Sequence, residues 1–367
     1  MEYFLICFLL IFFSYFFILF NYLHFAYKPD ILNNFIGIGS IFFVFINIAM
    51  FLLLMNQDPA LQSFFVPFWL FILGIPLLTV GIIVFFCTCI SHLSKEVFRK
   101  YISALEKKLV SKSASWSKGK KDILRKSNHV LIFICFLIAW YIGLFLVYFY
   151  TGTSEGMIPI EENMFLLYSR ILIEPNSIAD VLLSLGWFYY LLFVILYILC
   201  LCMLANEFTR KSRFLSFPFN FFSRVYLSKE EKEKYGTYLY FTIGQMFAAF
   251  ICPPIVYIAI LGISSISDLM TSQIGIRLGK KHIVWNQDKT WEGTIAGTIT
   301  TFVMSFFFIG LYWSIIFSII FFEFDTLTNK PINISDNLLI PIGLSLTYLF
   351  IRFFFNFNYF SPILQWF

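Results

Sequence analysis

The chain has 367 residues, of which 60% are apolar, 13% are charged and 51 are phenylalanine. Roughly a quarter of residues in a soluble globular domain carry charge, so this composition excludes a water-soluble fold, and the formal charge of +5 sits in loops between apolar runs rather than on a nucleic-acid-binding face. Those runs are continuous instead of alternating, which argues against a membrane β-barrel and leaves an all-α, polytopic transmembrane helical bundle of about 8–10 spans.

Apolar stretches follow in chain order at 3–26, 33–55, 62–91, 129–150, 180–205, 237–252, 254–278, 294–322 and 337–356. The first has no basic lead-in and no small-residue cleavage site, so it reads as a membrane helix rather than a removed signal. Cys7, Cys87, Cys89, Cys135, Cys200, Cys202 and Cys252 lie mostly inside such runs, without C-x-x-C spacing, and read as small buried hydrophobes in a reducing setting. Between the third and fourth stretches lies the basic segment "SKEVFRKYISALEKKLVSKSASWSKGKKDILRK", with Val97, Tyr101, Ile102, Leu105 and Leu109 at mostly helical spacing. An amphipathic helix on an anionic leaflet fits it, as does a solvated linker that only sets orientation. The expected division is 1–91 for N-terminal membrane helices, 92–128 for this basic cytosolic segment and 129–367 for a functional core.

With the basic loop in the cytosol, the acidic "TSEGMIPIEEN" falls on the far side and "RKSRFLSFPFNFFSRVYLSKEEKEKYG" returns. Pro253 and Pro254 split one long apolar run into two helices, because proline removes a donor and clashes with the preceding turn. Two further crossings bring residues 268–293, "DLMTSQIGIRLGKKHIVWNQDKTWEG", to the cytosolic side. The stretch 294–322 either crosses once or reverses tightly at Gly310, and only a reversal returns Glu323 and Asp336 to the side of Asp268.

Asp268, Thr271, Ser272, Gly275 and Gly279 fall at i, i+3, i+4, i+7 and i+11, on one face of the helix after Pro254. A carboxylate in a membrane span is unfavourable alone and needs a metal, a proton or a cation. G-x-x-x-G by itself packs membrane helices. Here, however, Lys280, Lys281 and His282 follow at once, and then Lys289, Thr290, Glu292 and Gly293 open the next helix. Close backbone approach, cations and a helix N-terminus together suit a polyphosphate. Capping by Thr290 and a first-turn role for Glu292 explain those two residues but not Asp268. Neither a Walker loop nor the protein-kinase motifs occur.

These residues resemble the CTP-dependent polyprenol and lipid kinases, a family that includes dolichol kinase, phytol kinase and the fungal CTP-dependent diacylglycerol kinase. The family's nucleotide motif is D-x2-A-x3-G-x3-G-x8-K-K-T-x-E-G, and Asp268, Gly275, Gly279, Lys289, Thr290, Glu292 and Gly293 stand at its spacings. Thr271 replaces the alanine and Asp288 the first lysine, so Lys280 or Lys281 has to supply the missing cation. Weaker marks keep the family's order: Arg125, Lys126 and His129; Glu207 and Arg210; then Glu323, Asp336, Asn337, Leu338 and Pro341. They cover about residues 122–345, and the long apolar lead suits dolichol kinases best.

The resemblance implies transfer of the terminal phosphate of CTP to dolichol or another long-chain polyprenol, in the endoplasmic reticulum membrane with the site facing the cytosol. Asp268 is expected as a magnesium ligand or as the base for the alcohol, with Glu292 helping to hold Mg2+ or another divalent cation, and Glu323 and Asp336 as further metal-holding candidates. Lys289 and Lys281 would bind phosphates, with Lys280, Thr271, Ser272, Gly275, Gly279, Thr290 and Gly293 completing the nucleotide site. The bilayer and the two substrates are the implied partners, with no nucleic acid. Alternatives are a diacylglycerol or phytol kinase, a phosphatidate cytidylyltransferase, whose C-terminal signature is absent, and a transporter or scaffold in which Asp268 is an ion site.

Overall fold

In the computed structural model the described residues are 2–57, 64–93, 104, 107–108, 111, 116–152, 177, 187–212, 214–218, 220 and 233–363. Val97, Tyr101, Ile102, Leu105 and Leu109, on which the amphipathic helix expected in 92–128 rests, lie outside them, as does the acidic loop 153–163, whereas residues 118–128 are helical and continuous with the span that follows. The protein is a polytopic helical membrane protein. Among the described residues eight helices are long and apolar enough to cross a bilayer, and a ninth apolar helix, Thr237–Ile251, is shorter.

In order, the helices are α1 Glu2–Phe25, α2 Ile31–Met55, α3 Phe65–Leu93, α4 Lys118–Thr151, α5 Trp187–Lys211, α6 Thr237–Ile251 and α7 Pro254–Gly262. A π-helical turn, Ile263–Ser267, joins α7 to α8, Asp268–Leu278. A small hairpin follows, β1 His282–Ile283 and β2 Asn286–Thr290, then α9 Trp291–Ile309, α10 Leu311–Leu327 and α11 Asp336–Phe355. The break expected at the prolines is present: α6 ends at Ile251 and Pro254 opens α7, where a missing N–H is harmless.

The chain forms two compact units that interleave along the sequence, residues 1–121 with 196–243 and residues 122–195 with 244–367. In the first, Tyr197 donates to the Leu73 carbonyl at 3.0 Å and Tyr240 to Asp30 at 3.0 Å, while the Lys211 ammonium donates to the Phe25 carbonyl at 2.9 Å. Glu207 and Arg210 belong to this unit, paired with each other one helical turn apart; the Tyr238 hydroxyl donates to the same glutamate and Arg210 also reaches the Lys234 carbonyl at 2.9 Å. A buried carboxylate so enclosed is satisfied by its partners, as an ion pair between residues three apart at the end of α5.

The second unit has a core of α7, fully buried from Val256 to Leu261, with Trp313, Phe317 and Phe321 of α10 and Tyr348 of α11. Its α9 and α10 answer the question left open by 294–322. Gly310 adopts φ +87°, a left-handed conformation natural only to glycine, and the chain reverses there into helices of 19 and 17 residues. Of the seven cysteines only Cys200 and Cys252 are buried; Cys7 and Cys135 are exposed on their helices, so burial does not account for them.

Candidate functional site

The site begins with how α8 meets α9. A Cβ on Gly293 would stand 2.6 Å from the Thr271 carbonyl, and one on Gly275 would stand 3.1 Å from the Thr290 hydroxyl. Bare glycines therefore let the two backbones touch. At the same junction Thr290 caps α9, its hydroxyl accepting from the Gly293 amide at 3.3 Å. Gly279 lies beyond the helix as its C-terminal cap and also faces Thr290. The glycines of the motif are thus filled by the start of α9, and their packing is what draws the helix of Asp268 toward the strand of Lys289.

Lys289, with a side chain 13% exposed, points into a cluster of carboxylates. Its ammonium lies 2.6 Å from Asp325 on α10 and 3.3 Å from Asp336 on α11. Asp325 is buried and its second oxygen accepts from the Thr294 hydroxyl at 2.5 Å. Asp268 is buried at the start of α8, where Lys126 of α4 meets it twice, at its carboxylate (2.7 Å) and at its backbone carbonyl (2.9 Å). The charges of Asp268, Asp336 and Lys289 act on one another. Three carboxylates against two ammoniums leave one negative charge in excess. Burial opposes the charge on Lys289, but Asp325, Asp336 and Asp268 outweigh it and hold the ammonium above its ordinary range.

The approach to Asp268 is unusual in the helix itself. The five-residue π turn Ile263–Ser267 ends just before it, and the hydroxyls of Ser265, Ser267 and Thr271 are buried without a hydrogen-bond partner. Such turns in an α-helix occur often at functional sites. Asp122, one turn before Lys126 on α4, accepts from Ser272, and from Gln273 at 3.1 Å, so α4 is fastened along α8.

Asp268, Lys289, Asp336 and Lys126 are therefore brought together, and Ser272 is engaged by Asp122. Glu292 is not in the cluster: it is half-exposed and accepts from the Lys281 amide at 3.3 Å. Glu323 is exposed on α10, Lys280 and Lys281 are exposed, and Asp288 pairs at 3.5 Å with Lys330. Asn337 follows Asp336, its amide donating to that side chain at 2.9 Å. His129 is buried on α4; of Arg125 only the helical backbone is described. The residues that sequence reasoning missed are Asp325, Thr294 and Asn286, the last buried and donating to the carbonyls of Thr326 (3.1 Å) and Thr328 (2.7 Å). No signal marks them in sequence, because each acts across the α9–α10 reversal.

Among the described residues no three His, Cys, Asp or Glu side chains are gathered as a complete metal site. Magnesium does not demand one, since it uses one or two carboxylates and fills its remaining positions with phosphate and water oxygens. Asp268 and Asp336 fit that donor set, whereas Glu292, held on the Lys281 amide, does not share it. Compared with protein-family models, curated proteins and solved structures, the chain has no match in any of the three.

Proposed function

We propose that this membrane protein is a phosphotransferase that moves the terminal phosphate of CTP to the hydroxyl of a long-chain isoprenoid alcohol, dolichol in the first instance. The observation that carries the reading is the Lys289 ammonium between Asp325 and Asp336, with the Lys126–Asp268 pair in the same cluster, at the polar end of a membrane span. Choice of cytidine and of dolichol, and residence in the endoplasmic reticulum with the site toward the cytosol, rest on the motif resemblance.

Phosphoryl transfer asks mainly for positioning and for charge stabilisation. Lys289 and Lys126 are the cations on hand for the phosphates, and both are preorganised by aspartates. Asp268 and Asp336 are the residues that would hold magnesium, which would supply positive charge to the phosphates. The alcohol oxygen forms its bond to the terminal phosphorus as the bond from that phosphorus to the bridging oxygen breaks, CDP leaves, and the hydroxyl proton passes to a carboxylate of the cluster. Excess negative charge among the side chains favours a metal-bound nucleotide over a bare one.

The test is phosphate transfer from labelled CTP to dolichol in membranes carrying Asp268→Asn or Lys289→Met, with a loss on the order of 100-fold expected in each. Full activity in both variants overturns the reading. Release of diphosphate rather than CDP would instead identify a cytidylyltransferase. A scaffold reading has the Gly275–Gly293 contact in its favour, and it predicts that neither nucleotide nor alcohol alters the stability of the purified chain.

A further inference from the structure

The β1–β2 hairpin carries surface that the proposed reaction does not use. At its tip Val284 is 84% exposed and Trp285 49%. This tip is firmly held. His282 Nδ1 donates to the Gln287 carbonyl at 2.8 Å, Asn286 ties the strand to the end of α10, and the Trp291 amide donates to the Lys281 carbonyl at 2.9 Å. The Trp285 ring meets Trp291 edge-on at 6.0 Å, and Trp291, first residue of a membrane span, lies 6.2 Å from Phe322. So the apolar tip lies beside the beginning of that span instead of reaching out into water.

Around the tip basic groups outnumber acidic ones, the Glu292 carboxylate being held on the Lys281 amide. Arg277, Lys280, Lys281 and His282 are exposed, and among the described residues none is ion-paired to a carboxylate. Asp288, the nearby acid on β2, is taken by Lys330. The hairpin interrupts two spans by only a dozen residues folded double, so it cannot extend more than about 20 Å from them.

We propose that this hairpin is an interfacial anchor: Val284 and Trp285 lie in the headgroup layer of the bilayer beside α9, and Lys280 and Lys281 hold the phosphates of anionic lipids. Tryptophan favours that layer because its ring is apolar and its N–H finds acceptors there. Lysines close to an anionic leaflet gain by the same placement. The two lysines that the motif offers to a nucleotide thereby act on lipid phosphate, a role independent of the reaction proposed above.

The experiment uses the full chain in nanodiscs of phosphatidylcholine, with or without phosphatidylserine, carrying lipids brominated near the headgroup end of the acyl chains. Emission of the natural chain minus that of Trp285→Phe isolates Trp285. That component should be quenched at least twofold by bromolipid, and more strongly with phosphatidylserine; Lys280→Gln with Lys281→Gln should remove the extra part. Val284→Trp adds a second reporter, whose added emission must follow the same pattern if Trp285→Phe fails to fold. Quenching by aqueous iodide without quenching by bromolipid overturns the anchor, as does a signal shielded from both, which would mean protein cover. Equal quenching with and without phosphatidylserine overturns the assignment of the lysines.

Discussion

Lys289 is the residue on which the charge cluster turns, and Asp325 is the one that fixes it. Taking away one member of a buried ion pair while leaving the other costs about 3–5 kcal/mol. Asp325→Ala should therefore lower stability by about that much, read as a denaturation shift in detergent; Asp325→Asn, which keeps a partner for Thr294, should fold better yet lose on the order of 100-fold in kcat/KM for CTP if the ammonium is displaced. The pH dependence has a definite sign. Because the carboxylates around it raise the Lys289 pKa in the fold, its contribution is fully present below the ordinary lysine value of about 10.4 and is lost only above it. Melting of the natural chain should show no loss from this residue between about pH 7 and pH 10, and Lys289→Met should be less stable throughout that window. Lys289 and Asp268 were legible in the sequence because each is a charge beside apolar runs. Asp325 was not, since it is 36 positions from Lys289 and Glu323, two residues earlier, fits the motif better.

At the level of the element, the contact between α8 and α9 decides whether a site exists. Gly293→Leu has no room against the Thr271 carbonyl, and should cost about 3 kcal/mol and abolish activity together with folding, measured by detergent-stable yield. Gly310 presents a different case: alanine there must take φ +87° and its Cβ would clash with the Phe360 carbonyl oxygen, so it should cost about 2–4 kcal/mol, seen as a lower melting temperature with activity retained below it. Glycine positions and the proline break could be read directly from sequence, because those residues impose backbone conformations of their own. The π turn could not be. "ISSIS" contains no breaker, and its first serine bonds as in ordinary helix, Ser264 to the Ile260 carbonyl at 2.9 Å.

For the whole molecule, composition alone settles the class, since apolar runs of this length have no other stable setting. Which side a loop occupies was less legible, because one reversal changes the side of everything after it. With α10 returning to Lys289, the N-glycosylation sequon Asn333-Ile334-Ser335 and the β1–β2 hairpin lie at the same end of the α9–α10 pair. Cysteines placed at Lys280 and at Asn333 should label together from one face of sealed vesicles; labelling from opposite faces would contradict the reversal. Glycan attached to Asn333 would put Asp336 and Lys289 in the lumen together. The widened turn ahead of Asp268 extends this dependence on connectivity along a single span. One residue more than a regular helix needs is accommodated there, so deleting Ile266 would restore an even pitch and leave Asp268 on its present face, whereas deleting one residue from the regular turns of α7 would swing everything downstream about 100° around the axis. Asp268 would then face away from Lys126 in a rod that still crosses the bilayer, leaving an intact transmembrane segment with its carboxylate aimed at the wrong neighbour.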